Sequence, residues 1–113
     1  MQRIFVFGSN LAGRHGAGSA RFAMERHGAK LGVGEGRTGN SYAIPTKDEY
    51  LRTLPLFEIN EYVDKFLDYA VDNPDLEFDL VAIGCGLAGY KPKDIAPMFA
   101  NAPKNVHKPK EFM

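Results

Sequence analysis

The chain has almost no cysteine and no net charge. Only one of its 113 residues, Cys85, is a cysteine, so an internal disulfide and a multi-cysteine metal site are both excluded. Lys plus Arg and Asp plus Glu each number 14, and without an excess of basic residues binding to nucleic acid is not expected. The single cysteine is typical of a reduced, intracellular compartment, and we expect a cytoplasmic protein.

Long hydrophobic runs are also missing. The apolar runs are only a few residues long, so no membrane-spanning segment is expected. The N-terminal residues lead directly into a predicted strand, without the charged and apolar segments of a signal peptide. A length of 113 residues suits one domain, and no linker or repeat interrupts it, so we expect a single domain over residues 1–113.

The spacing of apolar residues predicts alternating strands and helices. Short β-branched or aromatic runs predict strands over residues 3–7, 41–45 and 78–83, with a last edge strand within 105–112. Apolar positions three and four residues apart predict helices over 17–27, 55–73 and 92–100. The glycines of residues 32–40 predict a mobile loop, and 46–53 a polar connection. This order predicts a three-layer α/β fold, a compact mixed or parallel sheet flanked by helices.

Two glycine-rich turns follow predicted strands and lead into predicted helices. They are Phe-Gly-Ser-Asn-Leu-Ala-Gly-Arg-His-Gly-Ala-Gly (residues 7–18) and Ile-Gly-Cys-Gly-Leu-Ala-Gly-Tyr (residues 83–90). Glycine lets backbone N–H groups approach a ligand closely, and two such loops at one sheet edge would form an anion site. The alternative is that these glycines only make tight turns.

The second turn matches the letters G-x-G-x-x-G, the spacing of the dinucleotide fingerprint. Residues 34–39 match the same letters without a preceding strand, so the pattern is not specific. The fingerprint is expected near the start of a domain, with an acidic residue on the next strand. That context is missing, so we exclude a Rossmann dinucleotide site. Neither turn contains the Gly-Lys-Ser/Thr of a P-loop, so we exclude a P-loop as well.

Four polar side chains near these turns have functional and structural interpretations. Asn10 could bind a ribose hydroxyl or form an Asx turn. Lys47 could bind phosphate or attack a carbonyl-type carbon, or be a solvated surface lysine. Cys85 could be a thiolate at a helix start or a small core residue. His15 could contact phosphate or act as an acid or base. The three histidines lack metal-ligand spacing, so neither a metal nor another cofactor is expected.

The two turns and Lys47 together resemble the macrodomain family. The segment from Gly8 to Ala20 is similar to the macrodomain loop that runs from Ala-Asn through glycines into a helix. Ile-Gly-Cys-Gly-Leu is similar to the second macrodomain loop in the branch that removes ADP-ribose from acidic side chains. In that branch a strand ending in Ile-Thr-Lys carries the catalytic lysine, and Ile-Pro-Thr-Lys ends at Lys47 here. Small macrodomain-like proteins of bacteria and phages are also similar.

The resemblance implies a macrodomain-like fold that binds ADP-ribose, a related nucleotide or a smaller phosphorylated ribose. Asn10 would lie near the distal ribose, residues 16–20 and 84–90 would surround the diphosphate, and Lys47 would be the nucleophile toward ribose C1. The expected ligand-binding residues are Gly8, Ser9, Asn10, His15, Gly16, Ala17, Gly18, Gly84, Cys85, Gly86, Leu87, Ala88, Gly89 and Tyr90.

Two departures from the family bear on catalysis and on the ligand. The hydrolase branch has an aspartate after Gly-Cys-Gly-Leu, where this chain has Ala88, and Asp48, Glu49 or Glu35 would have to replace it. The adenine-contacting aspartate that precedes the first loop has no counterpart. The hypotheses are therefore a binder of ADP-ribose or an ADP-ribosylated protein, a hydrolase that uses Lys47, and an interaction protein without a ligand.

Overall fold

The computed structural model describes residues 2–113 and has a five-stranded mixed sheet. The strands are β1 (Arg3–Asn10), β2 (Gly36–Thr38), β3 (Ser41–Lys47), β4 (Glu77–Leu80) and β5 (Val106–His107). Their order in the sheet is β2-β3-β1-β4-β5. β1 pairs in parallel with both β3 and β4, β5 is parallel to β4, and only β2 is antiparallel to its neighbour. The predicted α/β class is confirmed.

Helices cover both faces of this sheet. They are α1 (Gly18–Arg26), α2 (Leu56–Asp72) and α3 (Pro92–Ile95), and 3₁₀ turns follow at Ala96–Phe99 and Lys110–Phe112. Side chains alternate across the sheet along each strand. Phe7 and Ala43 therefore pack with Ala20 and Ala23 of α1, whereas Ile4, Val6, Tyr42 and Ile44 pack with α2 and α3. The result is three layers. Within residues 2–113 no helix is long and apolar enough to cross a membrane.

Several predicted boundaries were wrong. The predicted mobile loop 32–40 contains β2, which pairs with β3, and β3 itself continues to Lys47, two residues into the predicted connection. β4 ends at Leu80, so residues 81–83 leave the sheet. The predicted helix 92–100 is α-helical for one turn and then 3₁₀, with Pro97 in its second half. The last strand has only two residues.

Candidate functional site

A cleft of about 680 Å³ opens at the carboxyl ends of β1, β3 and β4. The chain leaves β1 toward β3 and leaves β4 toward β5, on opposite sides. The loops after β1 and β4 therefore diverge, and such a point in an α/β sheet is where ligands bind. The lining residues are Gly8, Ser9, Asn10, Arg14, Gly16, Ala17, Gly18, Ser19, Ala20, Thr46, Lys47, Leu51, Val81, Ala82, Ile83, Gly84, Gly86, Leu87 and Ala88.

The N-terminus of α1 opens into this cleft. Ala17, the residue that precedes the helix, has no side-chain hydrogen bond to the first turn, and that turn contains no acidic residue. Residues 17–20 all line the cleft. Their N–H groups lie at the positive end of a helix of nine residues, an arrangement that favours an anion.

Gly16 and Gly86 lie on facing loops of the cleft. Neither has a φ in the left-handed region, and a Cβ built on either would meet no atom within 4 Å. The fold therefore does not require glycine at these two positions. By contrast, Gly84 has a φ of +75°, which other residues rarely adopt, and it lies in the turn closed by the Cys85 N–H and the Ala82 carbonyl. Open space beside exposed backbone N–H groups suits close contact with a ligand.

The charge in the cleft is positive, although the whole chain is neutral. Arg14 and Lys47 are the only ionisable side chains among the described residues that line it. Within residues 2–113 neither side chain forms an ion pair, since the basic residues found in ion pairs are Arg3, Arg21, Arg52 and His107. The cleft therefore presents two cations and a helix N-terminus, with no carboxylate to compete with an anionic ligand.

Asn10 braces the first glycine-rich loop. Its Nδ2 donates to the Arg14 carbonyl at 2.8 Å, and its Oδ1 accepts from the Arg14 N–H at 3.0 Å. The side chain thus closes the loop, as in the structural interpretation. It also lines the cleft, and one Nδ2 hydrogen is left for a ligand hydroxyl.

His15 lies beneath the loop instead of in the cleft. It is 1% exposed, and its Nε2 is 3.1 Å from the carbonyl oxygens of both Lys30 and Val33. Because carbonyl oxygens only accept, Nε2 carries the hydrogen. Its ring packs edge-on against Phe7. His15 therefore attaches the first loop to residues 30–33 and does not line the cleft.

Three residues of the second loop also lie outside the cleft lining. Cys85 packs against the main core, and burial, with a smaller effect of Asp94 and Glu111, raises the pKa of its thiol. A raised pKa disfavours the thiolate that a nucleophile requires. The Tyr90 hydroxyl donates to the Leu54 carbonyl at 2.7 Å. Gly89 has a φ of +89°, and its N–H donates to the Gly86 carbonyl to close a turn.

The carboxylates considered as substitutes for the missing aspartate do not line the cleft. The Asp48 carboxylate accepts the N–H groups of Arg52 and Tyr50, and the Arg52 N–H in particular lowers its pKa. Burial raises the pKa of Tyr62 on α2, and Glu35 and Glu49 are among the carboxylates that add smaller effects. Within residues 2–113 no group of three or more His, Cys, Asp or Glu side chains is arranged to hold a metal.

Sequence reasoning missed six residues of the lining: Arg14, Thr46, Leu51, Val81, Ala82 and Ile83. Arg14 and Thr46 stand inside the motifs that carried the resemblance, so their position was a usable signal. Residues 81–83 were assigned to a strand because an apolar run does not distinguish a strand from a cleft wall. Nothing local in the sequence indicates Leu51.

Comparison with known proteins gives no match to any family model, curated protein or solved structure.

Proposed function

We propose that the cleft binds ADP-ribose or a related phosphorylated ribose nucleotide through its two glycine-rich loops. The observation that carries this proposal is the uncapped N-terminus of α1, which opens with Arg14 and Lys47 into a cleft without carboxylates. Backbone N–H groups bind phosphate well because the fold already holds them in place, and unpaired cations add charge-assisted hydrogen bonds.

The ligand would span the two loops. Its diphosphate would lie between residues 16–20 and the N–H groups around Gly86, where both loops leave open space. The free hydrogen of Asn10 Nδ2 would reach a ribose hydroxyl, and Lys47 at the end of β3 would complete the neutralisation of charge. This arrangement is proposed by analogy with macrodomains, which the two loops and Lys47 resemble in sequence.

We propose binding and not hydrolysis, because the cleft offers Lys47 no partner for proton transfer. A lysine that opens a sugar at C1 needs a group to move protons during the reaction. The residue at the position expected for that group is Ala88, and the described lining contains no carboxylate.

Calorimetry with ADP-ribose tests the binding proposal. Wild-type protein should bind, and Gly16→Val or Gly86→Val should weaken binding by about tenfold or more, since the new side chain fills ligand space. Ala100→Val, an exposed site outside the cleft, is the matched control and should bind as wild type does. Absence of heat from wild type with ADP-ribose, AMP and ribose 5-phosphate at millimolar concentration would overturn the proposal.

Incubation with protein ADP-ribosylated on glutamate separates binding from hydrolysis. We expect the modified protein to be retained without release of ADP-ribose. Release that disappears in Lys47→Ala would instead establish the lysine-dependent hydrolase, and release that persists in that variant would exclude Lys47 as the nucleophile.

A further inference from the structure

The second glycine-rich loop carries a run of backbone N–H groups without partners. Gly86, Leu87 and Ala88 line the cleft, and within residues 2–113 their N–H groups donate to no backbone or side-chain acceptor. The Gly89 N–H donates to the Gly86 carbonyl at 3.0 Å and closes a turn around the two residues between them. Successive free N–H groups in a turn suit an anion, and their direction depends on how the turn is held.

Thr53 holds the end of this turn from outside the loop. Its Oγ1 donates to the Ala88 carbonyl at 3.0 Å, and the N–H of the same peptide group, which belongs to Gly89, closes the turn. Both polar groups of that peptide are thus fixed. Gly89 has a φ of +89°, and glycine adopts either sign of φ without strain. Without the Thr53 hydroxyl, this peptide group would therefore rotate more easily and release the turn.

The residues at 53 and 54 also attach the second loop to the end of β3. Thr53 forms a single antiparallel bridge with Lys47, and the Leu54 N–H donates to the Thr46 carbonyl at 2.9 Å. A second side-chain link is the Tyr90 hydroxyl, which donates to the Leu54 carbonyl at 2.7 Å. The loop is therefore fastened to the strand that carries Lys47, one of the two cations of the cleft.

We infer that Thr53 is a positioning residue, which keeps the free N–H groups of the second loop in the arrangement that binds the anionic part of the ligand. This inference rests on the proposed function and adds to it a residue that does not line the cleft. A loop that is ordered before binding loses less conformational entropy when the ligand binds. The hydroxyl thus increases affinity without touching the ligand, and because the Thr53 side chain is exposed, core packing does not depend on it.

The test compares Thr53→Val with Thr53→Ser. Valine keeps the size and the branching of the side chain and removes the donor, whereas serine retains the hydroxyl. Thr38→Val is the matched control, because it makes the same change on β2, outside the cleft lining. Calorimetry with ADP-ribose measures affinity. Exchange of the Gly89 amide with water, followed by NMR without ligand, measures how firmly the turn is closed.

Thr53→Val should bind ADP-ribose about three- to tenfold more weakly than wild type, the effect of losing one hydrogen bond. Its Gly89 amide should exchange faster than that of wild type, because the turn opens more often. Thr53→Ser should restore both the affinity and the exchange rate toward the wild-type values, and Thr38→Val should change neither.

Wild-type affinity in Thr53→Val, or an unchanged exchange rate of its Gly89 amide, overturns the inference and leaves the proposed function standing. An equal loss of affinity in Thr53→Ser also overturns it, because the hydroxyl would then not be the cause. If wild type binds no ADP-ribose, the proposed function fails, and the positioning role falls with it whatever the exchange rates show.

Discussion

At the scale of single residues, glycines with the same chemistry have different roles in this protein. Gly16 and Gly86 have free space around them, whereas Gly34 is in close contact with the end of β1. The Ser9 hydroxyl donates to the Gly34 carbonyl, and Gly32 donates to Gly13 at 2.8 Å. Residues 30–34 thus hold the first glycine-rich loop in place, together with His15.

Gly34→Ala should destabilise the protein by about 1–3 kcal/mol, because the added Cβ would lie 2.1 Å from the Asn10 carbonyl oxygen and main chain would have to move. Gly16→Ala is the matched control and should change stability by less than about 0.5 kcal/mol. Urea unfolding measures both variants. Equal stability of the two would mean that Gly34 does not touch β1 in solution.

At the scale of elements, the turn between β3 and α2 depends on one carboxylate. Asp48 Oδ1 accepts from Tyr50 and Arg52 N–H groups at 2.8 and 2.9 Å, and an Arg52 ion pair at 3.4 Å adds to them. These groups hold the pKa of Asp48 below its ordinary value. The turn also carries Leu51, so its order bears on the rim of the cleft.

Asp48→Asn should lower stability at neutral pH, with a difference that disappears in acid. A lowered folded-state pKa stabilises the protein fully above the unfolded pKa of about 3.9 and no longer does so once pH falls below the folded value. Unfolding of variant and wild type should therefore converge as pH drops below about 4. Asp75→Asn, which changes an exposed aspartate, is the control. A constant difference across pH would show that the charge of Asp48 is not the cause.

At the scale of the whole molecule, two apolar clusters share one sheet. The larger lies between the sheet and α2, where the Phe66 ring is 5.0 Å from Tyr42 and 5.3 Å from Phe78. The smaller lies under α1 around Phe7. Because β1 and β3 contribute to both clusters, loss of apolar packing in either cluster should loosen the strands whose ends form the cleft.

Phe66→Ala should destabilise the protein by about 3–5 kcal/mol through loss of buried area and a cavity. Phe57→Ala on the same helix removes a ring that is 66% exposed and should cost much less. Circular dichroism and tyrosine fluorescence should give coincident unfolding curves for each protein. Two separate transitions would contradict a single cooperative unit, and with it the prediction of one domain.

Much of the fold was predictable because its signals are local. The apolar residues of α2 recur every three or four positions, and the helix lies at Leu56–Asp72, close to the predicted 55–73. β2 was missed because Gly36–Thr38 has no apolar pattern and is held by pairing with β3. Similarly, the apolar run of residues 81–83 predicted a strand. Their position beside the cleft depends instead on contacts between distant residues, such as the hydrogen bond from the Val81 N–H to the Val6 carbonyl.

By itself, the sequence determined the α/β class and the position of two glycine-rich turns after strands, since periodicity and glycine content act over a few residues. Only the tertiary structure decided which of those residues line the cleft. It buried His15 beneath the loop, turned Cys85 toward the core, left Gly16 and Gly86 open, and brought Arg14, Lys47 and Leu51 to one cleft. These outcomes depend on strand order and on contacts between distant segments, which no local pattern encodes.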